Sequence, residues 1–344
     1  MHHMFQEILQ QPAVVANLLE RQQKAAREVA RLVEARQITQ VVLAARGTSD
    51  NAAVYGQYLF QIQNHIAAFL ATPSVVTLYN SRPRLRSTMV IGISQSGRAQ
   101  DVMEYMAAAR EQGSPVVAIT NNPQSGFGEH ADIVVDLDAG QEHSVAATKT
   151  YTASLAALAL ISACLCQRPD ALRALFTVPE LIARAVQETS GLAQVAAEAA
   201  DESECFVIGR GLNYSTALET ALKIMETSYA RARAYSSADL LHGPVAAVQS
   251  VPCIVYAPRD AAQQAVLETA ERLRELGTRM MVISSDPQAL ALADHPVHIP
   301  AGEMEFLDPL AQIVAGQRFA YHLAVARGLD PDHPRGLTKV TVTR

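Results

Sequence analysis

Gly47 and Gly211 close the same six-residue pattern 164 residues apart, and this internal repeat constrains the fold more than any other feature of the chain. Val42-Leu43-Ala44-Ala45-Arg46-Gly47 is answered by Phe206-Val207-Ile208-Gly209-Arg210-Gly211. At the same offset Arg110-Glu111-Gln112-Gly113 is answered by Arg274-Glu275-Leu276-Gly277, and Val116 to Thr120 by Met280 to Ser284. A constant offset across three elements means two copies of one domain. In the first copy the apolar runs Val41 to Ala45, Ile66 to Leu70, Met89 to Ser94, Pro115 to Thr120 and Ile133 to Leu137 read as strands. Helical patterns between them reach about Gln63 and Gln112. This alternation predicts an α/β fold with a parallel sheet covered on both faces, whose ligands gather at the carboxyl ends of the strands.

Around the copies the chain divides into a helical leader, 1–37, a first domain, 38–168, a linking helix within 169–200, a second domain, 201–328, and a tail, 329–344. The leader is helical from Phe5 to Gln37 with a break at Pro12, and its apolar stripe needs a domain or subunit to pack on. The run from Thr150 to Cys166 is an apolar helix without a long polar face, and the linking helix spans Pro179 to Ala200. A chain of 344 residues is long enough for two cores. A formal charge of −6 with no dense Lys/Arg run argues against nucleic acid as a partner. The apolar, uncharged run Tyr151 to Cys166 is too short to span a membrane, and Met1-His2-His3-Met4 lacks signal-peptide character, so the expected location is cytoplasmic. Cys164, Cys166, Cys205 and Cys253 lie in apolar runs without metal-ligand spacing, so neither a disulfide nor a metal is expected.

The copies differ at polar positions. Ser94-Gln95-Ser96-Gly97 joins a strand to a helix, where free N–H groups, the helix dipole and two hydroxyls make a seat for phosphate. A serine-capped polar turn would read the same way. The second copy has Pro258-Arg259-Asp260-Ala261 there, which loses both hydroxyls and gains a carboxylate. Conversely Glu219, Lys223 and Glu226 share one helix face in the second copy, where the first has Tyr55, Leu59 and Ile62. A lysine between carboxylates can keep a base ionised and polarise a substrate oxygen, although the spacing fits a solvated Glu-Lys pair at least as well. His242, before Gly243-Pro244, can move protons near neutral pH or simply end a helix. Thr148-Lys149-Thr150 brings a cation and hydroxyls to the start of the apolar helix, or caps it.

Taken together, Arg46-Gly47-Thr48-Ser49, Ser94-Gln95-Ser96-Gly97, Thr148-Lys149, the run Leu218 to Glu226, His242-Gly243-Pro244 and Pro334-Arg335-Gly336-Leu337-Thr338-Lys339 resemble the double sugar isomerase (SIS) domain family. The likeness is to the isomerase half of glucosamine-6-phosphate synthase and its stand-alone relatives, over almost the whole chain. It implies two flavodoxin-like domains, each a five-stranded parallel sheet flanked by helices in a three-layer sandwich. It also implies a homodimer. Ser49, Ser94, Gln95, Ser96 and Gly97 would hold the sugar phosphate, while Gly47, Thr48, Val145 and Thr338 would line the sugar site. Glu226 would shuttle a proton between C1 and C2, Lys223 would assist at the substrate oxygen, and His242 would open the sugar ring in the neighbouring subunit. Lys339 would close the pocket from the tail.

Two departures from the synthase stand out. The glutaminase domain is not expected, and Arg98 and Ala99 replace an acid and a phosphate-binding threonine, with Arg98 placed to compensate. Ser-Gln-Ser-Gly-Arg with Asp101 resembles the stand-alone branch that removes amines from sugar phosphates. The expected function is therefore glucosamine-6-phosphate deaminase, giving fructose 6-phosphate and ammonia without a cofactor. An aldose-ketose isomerase, a fructosamine-6-phosphate deglycase and a non-catalytic sugar-phosphate-binding regulator are the alternatives. No membrane partner is expected.

Overall fold

The computed structural model describes residues 1–166 and 168–339; Gln167, and the part of the tail from 340 onward, lie outside the described residues. Two helices open the chain, α1 (His3–Arg21) and α2 (Gln23–Ala35). The break expected at Pro12 is absent, because α1 runs through it. A proline leaves the carbonyl four residues earlier without its donor, and here the Gln11 side chain supplies one, its Nε2 lying 3.1 Å from the Ile8 oxygen. The interruption comes at Gln22 instead.

The chain separates into two compact units. One comprises 13–141 and 149–176, with Thr338 and Lys339 among the described residues. After α2 it contains β1 (Gln40–Ala44), α3 (Thr48–Asn64), β2 (Ala67–Leu70), α4 (Ser74–Thr77), β3 (Thr88–Ser94), α5 (Gln100–Glu111), β4 (Val116–Thr120), β5 (Ile133–Asp136), α6 (Lys149–Leu165) and α7 (Pro169–Leu175). The strands form one parallel sheet in the order β2-β1-β3-β4-β5. Every residue of β3 and β4 is buried, as a sheet covered on both faces requires. On one face α5 packs over Val42, Val90 and Val116. Gly92 permits that approach, since a Cβ there would fall 2.2 Å from the Met106 sulfur. Leu43 points the opposite way and meets α3 at Gly56, where Leu158 of α6 also closes in.

The other unit comprises 1–12, 142–148 and 177–337. It contains α8 (Val178–Glu188), α9 (Leu192–Glu198), β6 (Glu204–Gly209), α10 (Tyr214–Ser228), β7 (Arg231–Ser236), α11 (Ser237–Leu241), β8 (Cys253–Tyr256), α12 (Gln263–Glu275), β9 (Met280–Ser284), α13 (Pro287–Leu290), β10 (His295–His298) and α14 (Asp308–Ala326). Its parallel sheet runs β7-β6-β8-β9-β10, the same order as the first. β4 and β9 hold the same rank in the two sheets and lie 164 residues apart, as the repeat requires.

Two expectations change in this unit. The single linking helix from Pro179 to Ala200 is two helices, α8 and α9, separated by a tight turn at Thr189–Gly191. The turn is held by buried Arg318, whose Nη1 donates to the Val186 carbonyl at 2.5 Å and to Thr189 Oγ1 at 3.1 Å. The segment 142–148, assigned by sequence to the first domain, packs here instead. Glu7 accepts from the N–H groups of His143 and Ser144, and the Asp332 carbonyl accepts from Val145 N–H at 3.3 Å. Gln317 donates to the Thr148 carbonyl at 3.2 Å and accepts from Gln11 at 2.7 Å. Among the described residues no helix is long and apolar enough to cross a membrane.

Candidate active site

In the first unit, β1 is flanked by β2 on one side and β3 on the other, so the chain reverses its direction of progress across the sheet between β1 and β3. Loops that leave such neighbouring strands border a crevice where ligands bind. Here they are Arg46–Ser49, after β1, and Ser94–Gly97, after β3. The two loops are tied together, for Arg46 Nε donates to buried Asp101 Oδ2 at 2.6 Å in the first turn of α5. Ser94 is buried, while Gln95 and Ser96 are half-buried. Ser96 Oγ accepts the Arg98 N–H at 3.3 Å, which leaves the serine proton free to be donated outward. Val102 N–H, in the first turn of α5, is taken by Asp101 Oδ1 at 3.0 Å, and the hydroxyls and N–H groups before it make a donor set of the kind that can seat an anion.

The loop is backed by the segment after β4. Asn121 N–H donates to the Gln95 carbonyl at 3.2 Å, Asn122 Nδ2 approaches the Ser96 carbonyl at 3.4 Å, and Ser125 Oγ donates to the Asn122 carbonyl at 2.7 Å. Gly97 has φ +64°, and a Cβ on it would lie 1.8 Å from Ser125 Oγ. Gly97→Ala is therefore expected to lower stability by about 1–3 kcal/mol, read as a fall in the denaturant midpoint; an unchanged midpoint would show that the loop yields freely. Sequence reasoning missed this backing. The signal was a polar Asn121-Asn122 pair at the carboxyl end of a buried strand.

In the other unit, α10 carries Glu219, Lys223 and Glu226. Lys223 and Glu219 are fully buried, and the Lys223 Nζ lies 2.5 Å from Glu226 Oε2 and 3.4 Å from Glu219 Oε1. The solvated-pair reading is thus overturned: these charges stand inside the protein, and only Glu226, with its side chain 22% exposed, reaches solvent. Burial by itself depresses the Lys223 pKa. The carboxylates of Glu219 and Glu226, then of buried Glu142, outweigh that and hold it above its ordinary value. Glu142 also accepts the Thr148 N–H at 2.8 Å. It belongs to the 142–148 segment and was not singled out from sequence, since only the fold brings its charge to bear on Lys223.

His242 ends α11, where its N–H donates to the Asp239 carbonyl at 3.2 Å, and its side chain is exposed. Val145 is half-buried in the same unit as Lys223, Glu226 and His242. Gly47, Thr48, Ser49, Ser94, Gln95, Ser96, Gly97, Thr338 and Lys339 belong to the unit with the anion seat. Thr338 is exposed and Lys339 half-buried. Lys149 is buried, with its Nζ donating to the Gln141 carbonyl at 2.8 Å. Among the described residues no three His, Cys, Asp or Glu side chains gather as metal ligands.

The second copy's counterpart of the anion seat has the opposite character. Asp260 Oδ1 accepts from Ala262 N–H at 2.7 Å, and buried Asp308 accepts from Gly302 N–H at 2.7 Å. Burial pushes the Asp308 carboxyl up to about 7; Gly302 N–H opposes the rise, and the charges of Asp260 and Glu305 reinforce it. A carboxyl whose folded pKa lies above its unfolded 3.8 holds its proton more tightly when folded. Its contribution therefore favours folding at low pH and is lost as pH rises from about 4 through 7. Asp308→Asn keeps an acceptor for Gly302 without the charge. Relative to the variant, the native chain is expected to lose on the order of 1–3 kcal/mol between about pH 4 and pH 8, measured by urea unfolding; parallel pH profiles would contradict this.

The pattern of the SIS domain family matches residues 34–163 and again 198–327, two spans themselves 164 residues apart. The chain is 34% identical over 350 residues to glutamine–fructose-6-phosphate aminotransferase (isomerizing) of Methanothermobacter thermautotrophicus, covering 99% of this chain and 58% of that protein. It thus spans somewhat more than half the length of that relative. Among solved structures, a proposed phosphosugar isomerase from Silicibacter pomeroyi DSS-3 aligns with TM-score 0.88 at 30% identity, covering 96% of this chain and 100% of the other. The carboxyl-terminal domain of glucosamine-fructose-6-phosphate aminotransferase from Francisella tularensis aligns with TM-score 0.87 at 25% identity, covering 97% and 98%.

Proposed function

The chain belongs to the SIS domain family, and on that premise we propose that it is a glucosamine-6-phosphate deaminase, converting glucosamine 6-phosphate and water to fructose 6-phosphate and ammonia. The observation that carries this reading is the buried charge group on α10. Lys223 is sealed between Glu219 and Glu226, and of the three only Glu226 is open to solvent. A solvated surface pair would need no such burial. A base held ionised beside an ammonium does, because the low-dielectric surroundings strengthen both the hold and its effect on a reacting proton.

In this reading Ser49 and the Ser94–Gly97 loop bind the phosphoryl group, and that remote binding energy orients the sugar. Gly47, Thr48, Val145 and Thr338 are assigned to the sugar. His242, exposed on α11, is assigned to ring opening in a second copy of the chain, which makes the working form a homodimer. Glu226 takes the proton from C2 of the opened aldose and returns it at C1, producing a ketimine, while Lys223 stabilises the negative charge that develops at the substrate. Water adds to the ketimine carbon, the C–N bond breaks, and ammonia leaves with fructose 6-phosphate. Lys339, from the tail, is assigned to closing over the sugar. The names of the aminotransferase relatives speak for this substrate class, since they act on fructose 6-phosphate, the product formed here.

The test is incubation with glucosamine 6-phosphate and separate assay of ammonia and fructose 6-phosphate. Equal amounts of both are expected. Sugar-phosphate binding without either product would reject the deaminase reading in favour of a regulator.

A further inference from the structure

A cavity borders the Ser94–Gly97 loop, sharing Gly97 with it. Thr77 and Leu78 at the end of α4, Gly97 and Arg98 of the loop, Gln100, Met103 and Glu104 of α5, and Ser125 line it. Its chemistry is unlike that of the seat. Arg98 is exposed, and its guanidinium makes no ion pair among the described residues; Glu104 takes a hydrogen bond only from the neutral Gln100 amide, at 3.1 Å. A cation and an anion therefore face one cavity without neutralising each other. Leu78, 63% exposed, and Met103 line the same cavity and add apolar surface to it.

A lining that carries both charges, not paired with each other, matches a ligand that carries both. From this arrangement we propose that the cavity binds a free α-amino acid, with its carboxylate on the Arg98 guanidinium, its ammonium on the Glu104 carboxylate and its aliphatic carbons against Leu78 and Met103. A planar guanidinium pairs two-pronged with a carboxylate, which favours this orientation over the reverse. A plain anion would use Arg98 and leave Glu104 repelling it. A plain amine would meet the converse difficulty. The occupied cavity would also press on Ser125 and Gly97, which are already in close contact. The inference does not depend on which sugar phosphate is turned over.

The experiment is calorimetric titration of the full chain with glycine, leucine, glutamate and lysine, and with acetate and methylamine as half-ligands. Saturable binding of at least one amino acid is expected, at least about tenfold tighter than either half-ligand. Arg98→Ala and Glu104→Gln should each weaken it by about tenfold or more. Both side chains stand at the surface, and circular dichroism of each variant checks that the fold is kept. Binding of the half-ligands as tightly as the amino acid would overturn the proposal. So would amino-acid binding indifferent to both substitutions, or no saturable binding by any proteinogenic amino acid. Direct titration with glucosamine 6-phosphate, run alongside, reports the phosphate seat separately, so failure here leaves the reading of the reaction standing.

Discussion

Glu226→Gln is expected to lower turnover of glucosamine 6-phosphate by about 10²- to 10⁴-fold, the usual contribution of a positioned general base, while substrate affinity changes little. Glutamine keeps the length and a carbonyl acceptor for Lys223 Nζ, now 2.5 Å from the carboxylate. What it removes is the capacity to take a proton. The partial exposure of Glu226, against the complete burial of Glu219 about two turns earlier on α10, is the reason for assigning the proton transfer to this carboxylate. Steady-state kinetics with direct binding measurements check the split. A variant that kept native turnover would remove Glu226 from the chemistry, and one that lost binding as well would make it a structural residue.

Lys223→Met is expected to cost about 3–5 kcal/mol of stability, the usual consequence of stripping the partner from a buried charge. The substitution nearly conserves volume, so the loss is electrostatic: Glu219, fully buried, would be left without the ammonium 3.4 Å away. The sign with pH follows from the raised pKa of Lys223. A base held above its unfolded value of 10.5 contributes its full stabilisation below that pH and loses it only as pH climbs through the folded value. The penalty of the substitution should therefore stay level from neutral to mildly alkaline pH in urea unfolding. Adding Glu219→Gln should recover part of it, because it neutralises the buried carboxylate 3.4 Å from the lysine ammonium. Equal losses in the single and double variants would show that packing, not charge, holds this part of α10.

How far the sequence could be read depended on what kind of information each element carries. The repeat at 164 residues and the apolar runs of a doubly covered sheet are long-range patterns written in residue type, and both sheets follow them; Val116 to Thr120 and Met280 to Ser284 are strands β4 and β9. Pro12 misled because one side chain, Gln11, supplied the donor that proline lacks, a compensation invisible to periodicity. On α10 the Glu-Lys spacing fitted a solvated pair at least as well as a buried one. In the fold the assignment is closer to inverted, with Glu219 and Lys223 buried and Met225 42% exposed. Spacing tells which residues share a helix face, whereas the face that turns inward is decided by packing with α14 and β7. The attachment of the 142–148 segment to Glu7, Asp332 and Gln317 joins residues far apart in sequence, which no local pattern records.

The central claim is a proton transfer at C2 of a hexose phosphate carried out by Glu226. Its most direct test follows the fate of deuterium placed at C2 of glucosamine 6-phosphate, by NMR of the recovered sugars. The account predicts that the label appears at C1 of fructose 6-phosphate or is lost to water, at a rate that falls at least about a hundredfold in Glu226→Gln. Recovery of the amino sugar with its label untouched by the native protein, or loss of label at an undiminished rate in the variant, would contradict it.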